Sequence, residues 1–333
     1  MAKITIAEIA KLAGVSKTTV SRVLNNKPDV LVDTREKIME LISLYDFQPN
    51  AFAKAISHQR SNTIGLVIPY DANYIFSNPY YSEIIRGVSL EAKNNGYHLM
   101  LTYSEGDDYI SVVKQKRVDG LIIISPGSDH RIVIQQLKKL KIPFVATSRM
   151  PKVMDINHVC IDDFNGACLA TEHLISLGHR RIGFINGPSI LASSEDRLAG
   201  YKNTLEKYNI PYDGNIVGNG DTSIESGHRV MQRFLKNEEL TAVFAASDLM
   251  ALGAISAITE SNRSVPEDIS IVGFDDIPLS GFLSPPLTTI RQLAYEKGCI
   301  ATKMLMEMIR GKSTEIMIMM PVEIIIRKST KKI

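Results

Sequence analysis

Cysteine is scarce in this chain, with three residues among 333. Cys160, Cys168 and Cys299 form an odd set without Cys-x-x-Cys spacing, which argues against a disulfide framework or a structural zinc site and suits a reducing cytoplasm. No apolar run approaches the ~20 residues that span a bilayer. The opening Met1-Ala2-Lys3-Ile4-Thr5-Ile6 has neither the apolar stretch nor the cleavage site of an export signal. Seven histidines show no metal spacing, since His173 and His179 stand six apart without a third ligand. Gly218-Asn219-Gly220 lacks the third glycine of a dinucleotide fingerprint and reads as a plain turn. There is no P-loop, no Gly-x-Ser-x-Gly elbow and no legible pairing of nucleophile with base. The expectation is a soluble cytoplasmic protein that is not an enzyme and needs no metal, cofactor or membrane.

What is present is an ordinary globular composition, 44% hydrophobic and 22% charged. The length suits a small domain joined to a larger, bilobed one. The net charge of +2 is unevenly spread. Residues 1–60 hold nine Lys/Arg against six Asp/Glu, a balance of +3, and the remaining 273 residues carry −1. A positive end suits contact with a polyanion.

The first 60 residues read as four short helices without a strand. Thr5-Ile6-Ala7-Glu8 is a capping box that opens the first, and Gly14 ends it. Ser16 caps a second, running to about Asn25. Asp33-Thr34-Arg35-Glu36 is read as a second capping box, opening a third helix with Ile38, Leu41, Ile42 and Tyr45 on one face. Pro49 stops that helix, and Asn50 caps a very short fourth over 51–57. Residues 58–63 are polar and read as a linker.

Beyond residue 63, apolar strands alternate with amphipathic helices. Strands are expected over 64–68, 98–103, 120–124, 143–147, 159–162, 181–186, 242–247 and 269–274, with a long helix over 81–95. Near-continuous apolar strands with helical crossovers imply parallel sheets covered on both faces. Two such sheets fit in the available length, with a cleft between them at the carboxyl ends of the strands.

Residues 5–25 carry the most specific chemistry. Ile6, Ile9, Ala10 and Ala13 give the first helix a buried stripe, and Val20, Val23 and Leu24 give the second another. The turn at Gly14 lets the two stripes bury each other. The opposite face of the second helix presents Lys17, Thr18, Ser21 and Arg22, with no acid among them. Such a face suits the acceptor-rich base edges of the major groove, where each bidentate arginine–guanine pair discriminates by ~1–3 kcal/mol. On pattern alone, the competing reading is a helical pair with a solvated basic face.

The residue strings settle that choice. Residues 5–25, Thr34-Arg35-Glu36-Lys37 and Gln48-Pro49-Asn50-Ala51-Phe52-Ala53 closely resemble the lactose/galactose-repressor (LacI/GalR) family of bacterial transcription factors. The resemblance runs along essentially the whole chain, through Asn78-Pro79-Tyr80-Tyr81, Gly178-His179-Arg180-Arg181-Ile182-Gly183, Arg197-Leu198-Ala199-Gly200-Tyr201, Ser247-Asp248-Leu249-Met250-Ala251, Gly273-Phe274-Asp275-Asp276 and Pro286-Leu287-Thr288-Thr289-Ile290.

This resemblance implies an all-α helix-turn-helix headpiece on an α/β periplasmic-binding-protein-like core of two Rossmann-like lobes with parallel sheets. The headpiece would be 1–60 and the core 61–333, with one lobe about 62–161 and 291–320 and the other about 162–290 and 321–333. It also implies a homodimer on a pseudo-palindromic double-stranded operator, in a bacterial cytoplasm. Thr5, Ser16, Thr19 and Asn25 join the second-helix residues as DNA contacts. The segment 50–57 becomes a hinge helix that contacts DNA through Asn50, Ala53, Lys54 and Ile56. A helix of about two turns is marginal alone, so its ordering couples DNA binding to the dimer. Ile56 stands where the family wedges a leucine into the minor groove, Lys54 where arginine is more usual, and Leu31 where a serine caps the third helix, a role expected here of Asp33.

For the core, the resemblance implies a small-molecule effector. Arg197 matches the family's effector-contacting arginine, whose five donors suit sugar hydroxyls or an anionic group. Asp275 matches the acceptor for ligand hydroxyls, although an acid at a strand end can instead cap a loop. Tyr80 and Tyr81 offer a ring to stack on a sugar, with core packing as the alternative for one of them. Ser125, Arg149, Thr222 and Ser247 complete the candidates, while Asp248 is expected to cap the helix over 249–260. The methionines of 304–320 read as core or subunit-interface filler, and the Lys-rich end without heptads implies a dimer. The expected function is repression of carbohydrate-utilisation genes, relieved by a small sugar, a neutral one favoured over a purine. A catabolite-control regulator with a phosphoprotein co-repressor and a sugar receptor without DNA function are the alternatives.

Overall fold

A computed structural model describes residues 4–24, 26–47, 60–68, 72–103, 108–124, 131–150 and 155–333. The expected hinge helix over 50–57, with Asn50, Ala53, Lys54 and Ile56, lies outside the described residues, as do Asn25 and Ser125. The chain divides into two compact units, Met1–Ser61 and Asn62–Ile333.

The first unit is three helices, α1 (Ile6–Ala13), α2 (Lys17–Leu24) and α3 (Val32–Leu44). Thr5 and Glu8 form the reciprocal capping box that their spacing predicts, each side chain taking a backbone N–H at the other residue. Gly14 ends α1 with φ 73°, a left-handed conformation that costs glycine little. Ser16 Oγ accepts from Thr19 N at 3.1 Å and starts α2. Ile9, Ala10, Ala13, Val20, Val23 and Ile38 form the buried core. The third helix departs from expectation. It begins at Val32, with Leu31 in the cap position and no side-chain cap, so Asp33 lies inside the first turn. There its charge faces the positive end of the helix without capping it. Tyr45, expected on the buried face, ends the helix and is exposed.

The second unit holds two six-stranded sheets. The first contains β1 (Thr63–Ile68), β2 (His98–Tyr103), β3 (Gly120–Ile123), β4 (Phe144–Ala146), β5 (His158–Ile161) and β11 (Met317–Met320), in the order β11-β5-β4-β3-β1-β2, all parallel. The second contains β6 (Ile182–Asn186), β7 (Val217–Asn219), β8 (Ala242–Ala245), β9 (Ser270–Asp275), β10 (Thr288–Arg291) and β12 (Glu323–Ile325), in the order β12-β10-β9-β8-β6-β7. Here only the edge strand β12 runs antiparallel. Helices cover both faces, which is why β3, β4, β5, β6 and β8 are buried along their whole length.

The chain passes between the sheets after β5, after β10 and after β11. After β10 it forms the helix Ala294–Ile309, which packs on the first sheet beside the helix Pro79–Asn94. These two helices meet backbone to backbone. A Cβ on Gly87 would lie 2.1 Å from the Tyr295 carbonyl oxygen, and one on Gly298 2.5 Å from that of Ile84. That contact fixes the residues on either side of it, Tyr80 and Lys297 among them.

Four strands escaped the sequence pattern. β7 contains Gly218 and Asn219, so the expected turn there is instead a short edge strand. β10, β11 and β12 are three or four residues long. On β11, Met317 and Met319 face outward, while Met320, Met304 and Met306 are buried.

Candidate functional site

In the first unit, α1 and α2 hold a polar surface together. Lys17, Thr18 and Arg22 are exposed, and Thr19 and Ser21 are half-buried. The turn after α2 brings one acid onto this face that the helix alone lacks. Asp29 forms an ion pair with Arg22, both side chains about half exposed, and accepts a 3.2 Å hydrogen bond from Arg22 Nε at Oδ1. Arg35 braces the same turn, donating to Asn26 Oδ1 at 3.1 Å and to the Lys27 carbonyl.

In the second unit, a cavity of about 70 Å³ lies where the strands of both sheets end. Tyr80, Tyr81, Arg197, Thr222, Ser247 and Asp275 line it, as expected of a candidate site. Each is positioned by local structure. Asn78 Oδ1 accepts from Tyr80 N at 3.0 Å and caps the helix Pro79–Asn94, which starts two residues before the expected position. Ser247, not Asp248, caps the helix Asp248–Glu260, accepting from Met250 N at 3.1 Å. Thr222 sits after β7 with φ 72°. Asp275 ends β9 with φ 120°, a conformation disfavoured for any residue with a Cβ.

Arg197 is held by four contacts. Its Nε and Nη2 both lie 2.8 Å from Asp163 Oδ1, its Nη1 donates to the Ala246 carbonyl at 2.5 Å, and its guanidinium stacks 3.6 Å from the Phe274 ring centroid. A cation so fixed presents its remaining donors in one orientation. Burial pushes the Asp275 carboxyl up, against the pull of Arg197 and of the 2.5 Å hydrogen bond from Gln292 Nε2.

From Asp275 a polar chain crosses to the first sheet. Gln292 Oε1 accepts from Lys297 Nζ at 3.0 Å, and the same ammonium donates to Tyr80 Oη at 2.8 Å. Lys297 is 3% exposed. Thr147, at the end of β4, also lines the cavity, and its buried hydroxyl has no hydrogen-bond partner among the described residues. Sequence reasoning missed Thr147, Asp163, Gln292 and Lys297. Asp163 and Gln292 lie just past strand ends, a usable signal, but Gln292 follows a strand that was not recognised. Lys297 sits mid-pattern on a helix, where a lysine reads as a solvated face.

Arg149 is the candidate that the structure places elsewhere. It does not line the cavity but makes a bidentate pair with Asp196, Nε to Oδ2 at 2.5 Å and Nη2 to Oδ1 at 2.7 Å. Asp248 has a different role from the expected cap. Fully buried, it accepts from Ile277 N at 2.9 Å, Ser280 Oγ at 2.6 Å and Thr289 Oγ1 at 2.5 Å, tying β10 and the turn after β9 to one carboxyl group.

No helix among the described residues is long and apolar enough to cross a membrane, and no group of three or more His, Cys, Asp or Glu among them could hold a metal.

Comparison with known proteins gives two domain matches. Residues 5–50 match "Bacterial regulatory proteins, lacI family", and residues 171–330 match "Periplasmic binding protein-like domain". The chain is 34% identical over 336 residues, 98% of each chain, to the HTH-type transcriptional regulator DegA of Bacillus subtilis (strain 168). It is 36% identical over 341 residues, 99% of each, to the HTH-type transcriptional repressor PurR of Haemophilus influenzae (strain PittEE). Among solved structures it resembles a lac repressor dimer bound to operator and the anti-inducer ONPF, with TM-score 0.87 and 30% identity over 98% of this chain and 99% of that one. It also resembles a complex of the transcriptional regulator CelR with cellobiose, with TM-score 0.77 and 31% identity over the same shares of each chain.

Proposed function

The chain belongs to the lacI family of bacterial regulatory proteins, and from that premise we propose that it represses carbohydrate-utilisation genes and is released from its operator by a small sugar. The observation that carries this reading is the cavity at the strand ends, with Arg197 and Asp275 on its wall. Arg197 offers fixed donors and Asp275 a half-buried acceptor, the complementary pair that a polyol with vicinal hydroxyls requires. The likeness to a regulator solved with cellobiose supports a sugar over other effectors.

DNA is read by α2 through Lys17, Thr18, Ser21 and Arg22, with Thr5, Ser16 and Thr19 contacting the phosphates around it. Asn25 and the segment 50–57, with Asn50, Ala53, Lys54 and Ile56, belong to the same reading. Two copies of the chain bind the two halves of the operator. Ligand that bridges the two sheets of the core alters their relative orientation, and through the dimer this changes operator affinity, a coupling of ~1–3 kcal/mol in typical cases.

The test has two stages. Selection of bound fragments from a random DNA pool identifies the operator, and a gel-shift titration with candidate sugars then measures release. Arg197→Ala and Asp275→Ala are expected to bind operator normally and to lose the response to sugar. Retention of that response by both variants removes the cavity from the mechanism.

A further inference from the structure

We propose that Lys297 makes the cavity select an effector that carries an anionic group, a carboxylate or phosphate, so that the ligand is a sugar acid or sugar phosphate and not a neutral sugar. The inference rests on the sugar reading above and narrows it.

Charge on the cavity wall is unevenly satisfied. Arg197 and Asp163 face each other at 2.8 Å and neutralise one another directly. Lys297 has no such partner. Among the described residues no carboxylate lies within ion-pairing distance of its ammonium, and its two hydrogen bonds go to neutral acceptors, Tyr80 Oη and Gln292 Oε1. An ammonium has three donors. One remains, on a side chain that is 3% exposed and lines the cavity. Its nearest linked acid is Asp275, reached only through Gln292, and burying a cation without a direct counter-ion is costly, a cost that an anion brought by a ligand offsets.

A second observation points to the same wall. The Thr147 hydroxyl, 1% exposed, lines the cavity without a hydrogen-bond partner among the described residues. Asn78 spends Oδ1 on capping Tyr80 N, which leaves its amide N–H groups as its remaining polar function at the cavity. Lys297 and the Asn78 amide are therefore donors on the side of the first sheet, and the Thr147 hydroxyl there can donate as well as accept. The acids on the lining are Asp163, just past β5 where the chain crosses to the second sheet, and Asp275, at the end of β9. A ligand that matches both sets gives hydroxyl protons to the acids and an oxyanion to the donors. Neutral sugars can also accept from these donors through their hydroxyl oxygens, but only an oxyanion places a negative charge directly against the Lys297 ammonium.

Calorimetric titration of the full-length protein with matched probes tests this. The panel sets glucose against glucuronate and against glucose 6-phosphate, with cellobiose, ribose and guanine alongside. Expected is a preference of about tenfold or more for an acid or phosphate over its neutral counterpart. Lys297→Met should remove that preference, and Lys297→Arg should keep most of it. The glucuronate and glucose 6-phosphate arms tell carboxylate from phosphate. A neutral sugar that binds as tightly as its acid overturns the proposal while leaving the sugar reading intact, and so does an acid whose binding Lys297→Met leaves unchanged. Binding of guanine with no response to any sugar overturns both. Failure of every acid and phosphate in the panel to bind also overturns the proposal. The wild-type comparison of matched probes stands even if a Lys297 variant fails to fold.

Discussion

Arg149 and Asp196 join the two halves of the core. Arg149 follows β4 of the first sheet, Asp196 lies on the helix Ala192–Lys207 against the second, and their bidentate contact spans the two. Burial raises the Asp196 carboxyl even as Arg149 pulls it down. The pair is partly exposed, 40% and 22%, so its contribution is that of a screened surface bridge, ~0.2–1 kcal/mol. That energy favours the bridged arrangement of the two sheets. Asp196→Asn should therefore widen the core in small-angle scattering and weaken effector binding by up to about fivefold. The effect should shrink in high salt. A variant with unchanged dimensions and unchanged affinity would show that the bridge does not hold the sheets together.

The ion pair between Arg22 and Asp29 sets a competition on the DNA-reading face. Arg22 must leave Asp29, or share it, to reach a base edge. Arg22→Ala should weaken operator binding by ~1–3 kcal/mol and relax specificity at one position. Asp29→Asn should tighten binding by up to about fivefold, because the exposed pair no longer competes. Gel shifts at two salt concentrations measure both. Weaker operator binding by Asp29→Asn would mean that the acid orients the guanidinium instead of competing for it.

Phe282 is 87% exposed, with Leu279 at 46% and Ile326 at 63% also presenting apolar surface. The turn that carries Phe282 lies against the chain after β12, since Gly281 approaches Arg327. Large exposed apolar groups in one region mark association surfaces. In the proposed homodimer, Phe282→Glu should shift the protein towards monomer in light scattering and cut operator affinity by roughly tenfold or more, because the two half-sites are no longer bound as a unit. An intact dimer in this variant would place the interface elsewhere.

Much of this architecture was legible because it rests on local chemistry. Thr5, Glu8 and Gly14 fix α1 through hydrogen bonds within a few residues of each other, and the apolar runs that become β1 and β6 are long enough to declare themselves. β7, β10, β11 and β12 were missed because three or four residues carry too little period to stand out, and β12 pairs on one edge only. Tyr80, Arg197 and Asp275 were recognisable from the resemblance, and the structure brings all three to one cavity. Lys297 was not, since only packing of Gly87 against Gly298 turns its helix position inward. Arg149 and Asp196 are 47 residues apart, and no local pattern records such a pair.

Asp248 offers the sharpest pH test. Burial raises its carboxyl, the nearby Asp275 raises it further, and the donors Ser280, Thr289 and Ile277 pull it back without cancelling the shift. A carboxyl whose folded pKa lies above its unfolded value, ~3.9 for aspartate, binds its proton more tightly when folded. The stability it gives is complete below that unfolded value and is lost as pH rises through the folded one. The core should therefore melt at progressively lower temperature from about pH 5 to about pH 8. Asp248→Asn keeps an acceptor for Ile277 N and Ser280 Oγ and turns an amide donor to the Thr289 hydroxyl, so it should fold and show a flatter profile. Asp248 and Asp275 titrate as an interacting pair, so the difference between the two curves reports the loss of Asp248 together with its effect on Asp275. Asp248→Ala leaves the buried Ile277 N–H without its acceptor and should cost ~1–3 kcal/mol at low pH, where the wild-type carboxyl holds its proton. Parallel melting curves for wild type and Asp248→Asn would mean that the wild-type carboxyl keeps one protonation state across this range.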